Sequence, residues 1–311
     1  MSGWIKQNSD GDEIKELMYW QIIASAVNSN VVQPFMFFLV DDGQGRTGKS
    51  TFEQFLMALV GNGNYESLKL TEFENDFKVA NAIGAALIIG DDNHPGEFNE
   101  KSDTLKSMVT GDIVLINPKG LPPYTAQSTA LIVQSMNDLP RFQDTSGGLA
   151  RRVKVVKFNH QYDDSPAGRK IKDVYIKDKR LLEFALKQAL SVDITSLADT
   201  EESRLEVERL KEEGNPVAYF VANYWDNFKS NKIPVNVGFK YFLKIMESEN
   251  RKSRMSQTKF TREMKRILKG RGWEYKQATN ISKTDFNEDD KELVWNFAID
   301  PKKKYNAFVR M

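Results

Sequence analysis

The stretch DDGQGRTGKST, from Asp41 to Thr51, decides the fold of this chain. It fits the pattern G-x-x-x-x-G-K-[ST], in which a glycine-rich turn and the helix after it surround phosphate groups with backbone N–H donors. The lysine of this pattern neutralises the outer phosphates, and the next hydroxyl ligates Mg²⁺. The stretch therefore predicts a site for ATP and Mg²⁺. Its cofactor-binding residues are predicted to be Gly43, Gly45, Gly48, Lys49, Ser50 and Thr51, with Ser50 also on the metal.

The residues on both sides of this loop agree with the pattern. An apolar run at residues 34–40 precedes it and is short enough for a buried strand of a parallel sheet. After the loop, Phe52, Phe55 and Leu59 recur at helical spacing, and Gly61 ends the helix. Strand, loop and helix in this order predict an α/β fold with a P-loop ATPase core. The alternative is a glycine-rich turn that only joins a strand to a helix.

Composition limits the class of protein. With 311 residues, 40% hydrophobic and 28% charged, the chain is long enough for two globular domains. It has no cysteine and only two histidines, so we expect neither disulfides nor a zinc centre. The longest apolar run is about ten residues, too short to span a bilayer. Because no secretory signal is recognisable, we expect a cytoplasmic protein, in a bacterial host cell, without a membrane partner.

Charge is distributed unevenly along the chain. The net charge is only +1, yet residues 215–276 contain 14 Lys and Arg against 5 Asp and Glu. Such an imbalance predicts a nucleic-acid-binding module near the C-terminal end. Trp4 follows directly on Met-Ser-Gly, and no domain precedes the first predicted helix, at residues 12–28. We therefore expect a piece of a longer protein.

Two carboxylates follow a second apolar strand, at residues 85–90. Asp91 is predicted to hold Mg²⁺ and Asp92 to polarise the attacking water, although the reverse assignment is open. The alternative is an ordinary Asp-Asp turn. Asn137 follows a third strand, at residues 129–135, and would lie near the γ-phosphate if that strand is a neighbour of residues 34–40. Here the alternative is a simple Asn-Asp turn.

Two further elements carry cations. Residues 112–117 and the Pro-rich turn after them, which follow a helix predicted over 98–110, predict a β-hairpin with Lys119 at its tip. Arg151 and Arg152 precede a strand at residues 153–158, and one of them would stabilise transition-state charge in an ATPase that reacts at a subunit boundary. Such residues are otherwise only solvated or salt-bridged.

The second half is predicted to be mostly helical. Residues 161–214 contain two helical stretches, a lid and an acidic linker. Three helices and two strands, at 273–276 and 293–298, then predict a winged-helix domain whose third helix enters a DNA groove. The alternative is a solvated amphipathic helix. The DNA-binding residues of the third helix are predicted to be Lys259, Arg262, Lys265 and Arg266.

The ordered set of motifs resembles superfamily III helicases of the AAA+ class, and in particular the ATPase half of poxvirus-type and phage-type primase-helicases. The motifs are GQGRTGKST, ALIIGDD, LKSMVTGD with INPKGLPPY, LIVQSMNDLPRFQD and GGLARRVKVVKF. The resemblance covers residues 12–158 and implies a hexameric ring around DNA, with Asn137 as polar sensor. It also implies Lys119 in the pore and Arg151 or Arg152 as the finger offered to the next subunit. The family often has glutamate in the acidic motif, and Arg46 departs from the smaller residue common in the loop.

These features predict four segments: an N-terminal helical segment (1–33), the ATPase core (34–160), the lid and linker (161–214) and the winged helix (215–311). The expected function is an ATP-dependent DNA helicase in the replication of a phage or other mobile element. Its partners would be single-stranded and forked DNA and a primase domain or protein. The alternatives are a helicase loader or origin-remodelling ATPase without unwinding, and a DNA-binding regulator with a degenerate ATP site. A small-molecule kinase is disfavoured because no acceptor lid is recognisable.

Overall fold

The computed structural model describes residues 2–28, 30–94, 98–99, 102–142, 147–163, 166–249, 255–282, 284–285, 287–290, 300 and 302–311. They divide into unit 1, residues 1–214, and unit 2, residues 215–311. The helices of unit 1 are α1 Ser2–Asn8, α2 Glu13–Val27, α3 Lys49–Val60, α4 Asp76–Ala82, α5 Asp103–Thr110, α6 Pro166–Asp173, α7 Lys179–Ala189 and α8 Glu201–Gly214. Its strands are β1 Met36–Val40, β2 Tyr65–Ser67, β3 Leu87–Asn93, β4 Phe98–Asn99, β5 Ile113–Ile116, β6 Tyr124–Gln127, β7 Leu131–Met136, β8 Arg141–Phe142 and β9 Val153–Lys157.

A parallel sheet is the centre of unit 1. Its strand order is β2-β3-β7-β1-β9, and every neighbouring pair is parallel. Strand β1 is buried along its whole length, because it has a neighbour on each side and helices on both faces. The predicted α/β fold with a parallel sheet is confirmed. The carboxyl ends of β1, β3 and β7 therefore meet at one edge.

Alternate residues of β1 enter two different cores. Met36, Phe38 and Val40 pack with residues of α4, α5 and α8 on one face. Phe37 and Leu39 pack with α1, α2, α3 and α7 on the other. The apolar run at residues 34–40 is therefore the middle layer of a three-layer arrangement.

Helix α2 confirms the first predicted helix, with Asp12 as its cap: the carboxylate accepts from Ile14 N at 2.8 Å. The apolar face predicted from helical spacing is confirmed in part: Met18, Ile22 and Ile23 are buried, whereas Ile14 is 52% exposed and Leu17 44%. Tyr19 is also fully buried, edge-on against Phe52.

The predicted hairpin is present as β5 and β6, which pair antiparallel with Ile116 opposite Tyr124. Lys119 is exposed in the turn between them. The helix predicted over 98–110 is shorter: α5 begins at Asp103, because residues 98–99 form β4 and pair with β8. The pairing of β4 with β8 joins distant parts of the chain, so the local apolar spacing does not predict it.

The acidic stretch predicted to be a linker is α8, and it packs along the edge strand β9. Val155 N donates to the hydroxyl of Ser203 at 3.0 Å, and Leu210 is buried in the core of unit 1. Helix α8 therefore satisfies part of an otherwise open sheet edge. None of the described helices combines the length and apolar character needed to cross a membrane.

Unit 2 has its own core, centred on the buried Trp225. Its elements are α9 Pro216–Tyr224, β10 Lys232–Pro234, α10 Val235–Ser248, α11 Gln257–Leu268, β11 Trp273–Asn280 and β12 Lys304–Arg310. The strands form an antiparallel sheet in the order β10-β12-β11. The predicted helices and the strand at 273–276 are present. The strand predicted at 293–298 lies outside the described residues. Strand β11 pairs with β12.

Candidate functional site

The glycine-rich loop connects the end of β1 to α3. Gly43, Gly45, Arg46 and Gly48 all have positive φ, between 53° and 90°. Glycine adopts this backbone without a steric penalty, which explains three of the four positions. Arg46 adopts it at a cost, and its carbonyl accepts from Tyr162 N at 3.0 Å. The loop is therefore held in its turn from a segment more than a hundred residues away.

Lys49 is a buried cation held by three oxygen atoms. Its Nζ lies 2.7 Å from Oδ1 of Asp41, 2.7 Å from the carbonyl of Met136 and 3.0 Å from Oδ1 of Asn137. The lysine is only 8% exposed. These contacts join the ends of β1 and β7 to the first turn of α3.

Two acidic residues outside the predicted set fix the loop. Asp41, 4% exposed, accepts from Gly43 N at 3.2 Å and from the Thr47 hydroxyl at 3.0 Å. Asp42 accepts from Lys157 Nζ on β9 at 2.6 Å. Sequence reasoning missed both, because an acid directly after a strand also fits an ordinary turn.

Asp91 and Asp92 end β3, close to the end of β7. The hydroxyl of Ser135 donates to Oδ1 of Asp91 at 2.9 Å. The buried Asn93 ties the two strands together, since its Nδ2 donates to the Ser135 carbonyl at 3.1 Å. Asp92 has φ 54°, and its carbonyl accepts from Lys69 Nζ at 3.0 Å. The two carboxylates are thus exposed side chains on a firmly held backbone.

Glu53, also missed from the sequence, lies beneath these carboxylates on α3. It is 2% exposed, and its Oε1 has no hydrogen-bond partner among the described residues. Burial, and then the charge of Asp91, raise the pKa of Glu53 to about 8. The position is one turn beyond Lys49, so its carboxyl is a buried acid directly adjoining the site.

A cavity of about 580 Å³ collects these elements. Its described lining comes from the loop, the ends of β3 and β7, α1 and the segment from Tyr162 through α6: Trp4, Asp41, Gly45, Arg46, Thr47, Gly48, Lys49, Ser50, Thr51, Asp91, Asp92, Ser135, Met136, Asn137, Tyr162, Asp163, Arg169, Ile171 and Lys172. Gly43 is the exception among the predicted cofactor-binding residues. Its N–H is directed to Asp41 instead, so its role is to form the turn.

One end of the cavity, beside Gly48, is aromatic. Tyr162 donates its hydroxyl to Oδ1 of Asn8 at 3.1 Å, and burial raises its pKa to about 12. Its ring lies so near Gly48 that a Cβ there would be 3.2 Å from it. Trp4 and Ile171 line the same end. No sequence signal marks these residues, which only the fold brings together.

Arg151 and Arg152 do not line this cavity. They immediately precede β9, whose first residue, Val153, is opposite Met36 at the start of β1. The pair therefore lies at the edge of the sheet opposite the glycine-rich loop. Arg151 is exposed, and Arg152 donates to the carbonyl of Gly148.

The four predicted DNA-binding cations of α11 are not equivalent. Arg262, Lys265 and Arg266 are exposed, and Lys259 is half-buried. Arg266 pairs with Glu263 at 2.8 Å. Glu263 is itself buried, near the cap residue of α9. Arg262 is the second cation near this acid, with its Nε 4.0 Å from Oε1 of Glu263.

No group of three or more His, Cys, Asp or Glu that would form a metal cluster occurs in the described parts of the chain. An Mg²⁺ bound with a nucleotide needs fewer protein ligands, because phosphate oxygens and water complete its coordination. The Ser50 hydroxyl and the Asp91 carboxylate are hard oxygen donors of the kind that Mg²⁺ prefers, and both line the cavity.

Comparison with known proteins gives matches to both units. Residues 42–152 match a family of unknown function, DUF5906. Residues 212–300 match a family described as Poxvirus D5 protein-like. The A-form apo structure of the NrS-1 C-terminal region is similar with a TM-score of 0.55 and 12% identity, over 99% of this chain and 75% of that one. An apo structure of NrS-1 residues 305–718 gives 0.53 and 12%, over 99% and 74%. At this identity the likeness concerns the fold, and in sequence the chain is similar to poxvirus D5-like proteins over most of unit 2.

Proposed function

We propose that this chain is an ATP-dependent DNA helicase that acts in the replication of a phage or other mobile element. One observation carries the proposal: Lys49, Asp91, Asp92 and Asn137 line one cavity at the carboxyl edge of a parallel sheet. Ligands of open α/β sheets bind at this edge. The match of unit 2 to a poxvirus D5-like family and the resemblance of the motifs to superfamily III helicases support the same conclusion.

ATP fits the cavity in size and polarity. About 580 Å³ is within the range of about 300–1,000 Å³ for small-molecule sites. The phosphates belong at the loop, where Lys49 and the first turn of α3 offer positive charge. The base is proposed to lie against Trp4 and Tyr162, which line the same cavity. Lys49 exchanges some of its present partners, Asp41 and Asn137, for phosphate oxygens.

Ser50 and Asp91 are proposed to hold Mg²⁺, which when bound neutralises phosphate charge. Asp92 accepts a hydrogen bond from the attacking water and orients it. Asn137 contacts the γ-phosphate and so couples binding of that phosphate to the position of the end of β7. Asp91 and Asp92 remain interchangeable in these two roles.

A second copy of the chain completes this site. The described lining includes neither Arg151 nor Arg152, and an arginine contributed to the transition state increases the rate by about 10³ to 10⁵. Their position at the opposite sheet edge suits delivery to the next subunit of a hexameric AAA+ ring. The exposed Ile113 (68%) and Leu115 (69%) of the hairpin are apolar surface that assembly would cover.

DNA is proposed to contact both units. Lys119, at the exposed tip of the hairpin, binds the backbone of a single strand, and ATP turnover moves the hairpins along it with little sequence preference. Unit 2 is proposed to be a winged-helix domain, since three helices precede an antiparallel sheet. Arg262 and Lys265 are exposed cations of its third helix.

The test combines sizing with strand displacement. With a non-hydrolysable ATP analogue and single-stranded DNA, the protein should elute as a ring, and with ATP it should unwind a forked duplex. Lys49→Ala should abolish turnover. Lys119→Ala should keep basal hydrolysis and lose unwinding, whereas Lys106→Ala, a half-buried lysine on the helix before the hairpin, should keep both.

Two results would refute parts of this proposal. Normal unwinding by Lys119→Ala would show that the hairpin lysine is not needed to move the DNA strand. If a monomer hydrolysed ATP at the full rate, the proposal that Arg151 or Arg152 acts on the site of a neighbouring subunit would be wrong. Hydrolysis by a ring that displaces no strand would instead assign the chain to helicase loaders or origin-remodelling ATPases.

A further inference from the structure

Unit 2 contains a groove of about 540 Å³ between α11 and the sheet. It lies beside the start of α10. Its lining includes three cations, two tyrosines and an amide near the start of α10: Arg262, Lys265, Lys304, Tyr275, Tyr305 and Asn236. All belong to unit 2, and none lines the cavity of the glycine-rich loop.

The groove is positively charged. Three cations, Arg262, Lys265 and Lys304, line it, and no carboxylate does so among the described residues. Glu263 is 4.0 Å from Nε of Arg262 but forms its shorter contact, 2.8 Å, with Arg266. Lys265 and Lys304 form no ion pair within the described part of the chain. Charge complementarity therefore selects a polyanion.

One of these cations is already positioned. Nζ of Lys265 lies 3.5 Å from the centroid of the Tyr275 ring, a cation–π contact that restricts a long, flexible side chain. Less side-chain entropy is then lost when the ammonium meets a phosphate. The half-buried Tyr305 adds a second aromatic ring, and Asn236 adds an amide that can pair with a base edge.

The shape of the groove favours one strand over two. Duplex DNA is convex and is recognised by elements that protrude into its grooves. A concave pocket of nucleotide size instead accepts an unpaired nucleotide, whose base can lie against an aromatic ring while its phosphates meet cations. We infer that this groove binds single-stranded DNA, with Lys265 and Lys304 on consecutive phosphates and a base against Tyr305. This inference rests on the proposed DNA contact of unit 2 and defines its form.

The test measures binding of a fluorescein-labelled oligothymidylate by the full chain, without nucleotide, as a function of salt. Lys265→Ala/Lys304→Ala should lose about tenfold in affinity and make the salt slope shallower by about 1.4, since each phosphate contact on a single strand contributes about 0.7. The control Lys240→Ala/Lys302→Ala removes the same charge from exposed positions outside the groove. It should change affinity less than about twofold.

A second measurement locates the base. An oligonucleotide with 5-iodouracil should cross-link on irradiation to Tyr305 or Tyr275, and unlabelled single strands should prevent this better than duplex or polyglutamate. Equal loss in both double variants, or equal competition by duplex or polyglutamate, would overturn the inference.

The groove and the proposed helicase activity can fail separately. In a Lys119→Ala background, which lacks the hairpin contact, the groove variant should still lower affinity. If it does not, while the wild-type protein binds and unwinds DNA, the groove is refuted and the helicase stands. If the wild-type protein binds no single strand at all, both are refuted. Equal thermal midpoints of the two double variants exclude a folding defect.

Discussion

At the scale of single residues, the site is organised by buried charge. Lys49 is enclosed by Asp41, Asn137 and a backbone carbonyl, so the cation keeps oxygen partners despite being 8% exposed. A buried charge without such partners would be strongly unfavourable. The same contacts hold the lysine at the position where phosphate oxygens are proposed to bind.

Glu53 gives a prediction about pH. Its pKa is raised from 4.5 to about 8 by burial and by Asp91, so between these values the folded protein holds a proton that the unfolded chain has lost. The stability that this group contributes is full below about pH 4.5 and is lost as the pH rises through about 8. The free energy of unfolding should therefore fall by up to about 1.4 kcal/mol per pH unit in that window.

Urea unfolding from pH 5 to pH 8 checks this prediction. Glu53→Gln keeps a neutral side chain of the same shape, so its stability should depend less steeply on pH than that of the wild-type protein. Glu66→Gln, at an exposed position in β2, should retain the wild-type dependence. Parallel curves for the wild-type protein and Glu53→Gln would show that Glu53 is ionised in the folded state.

At the scale of elements, the end of β3 depends on a glycine. A Cβ at Gly90 would overlap Oε1 of Gln134 on β7. Gln134 cannot easily move away, because it is fully buried, donates to the Leu68 carbonyl at 3.0 Å and accepts from Asn93 at 3.1 Å. The Gln134 side chain therefore occupies the space next to Gly90, one residue before Asp91, whose Oδ1 is 2.9 Å from the Ser135 hydroxyl.

Gly90→Ala should therefore destabilise unit 1 by about 2 kcal/mol, within the usual range for overpacking, and should lower ATP hydrolysis by displacing Asp91. Urea unfolding and a hydrolysis assay measure the two effects. Gly3→Ala is the matched control, since nothing lies within 4 Å of a Cβ in that helix. If Gly90→Ala is as stable as Gly3→Ala, the Gln134 side chain does not fill the space next to Gly90.

At the scale of the whole molecule, the separation of the buried clusters of unit 1 from that of unit 2 predicts two unfolding events. Unit 1 and unit 2 have separate buried clusters. Calorimetry should show two transitions, and an ATP analogue with Mg²⁺ at about 100 times its Kd should stabilise only that of unit 1, by about 2.7 kcal/mol. Phe220→Leu, in the core of unit 2, should lower the midpoint temperature of one transition only, which identifies that transition as the unfolding of unit 2.

Lys49→Ala should remove the nucleotide-dependent shift and leave the transition of unit 2 in place. A single transition that moves as a whole with the nucleotide would mean that the units unfold together. That result would contradict the independent unfolding of unit 1 and unit 2, although not the position of the nucleotide site.

The sequence by itself determined the elements whose signals are local. Residues 34–61 carry strand, glycine loop and helix in a pattern set by backbone sterics and apolar spacing, and the observed β1 and α3 follow it. The carboxylates after β3, Asn137 after β7 and the hairpin around Lys119 were likewise recognisable from short stretches, because strand ends and turns have characteristic residues.

Only the tertiary structure decided which distant residues meet. Trp4, Tyr162 and Ile171 share the cavity with Lys49, and Lys265, Tyr275 and Lys304 line one groove of unit 2, although no short pattern links them. The buried face of α2 and the docking of α8 on β9 were also set by packing. Local sequence fixes backbone conformation, whereas contacts between distant segments depend on how volumes and charges fit once the layers have come together.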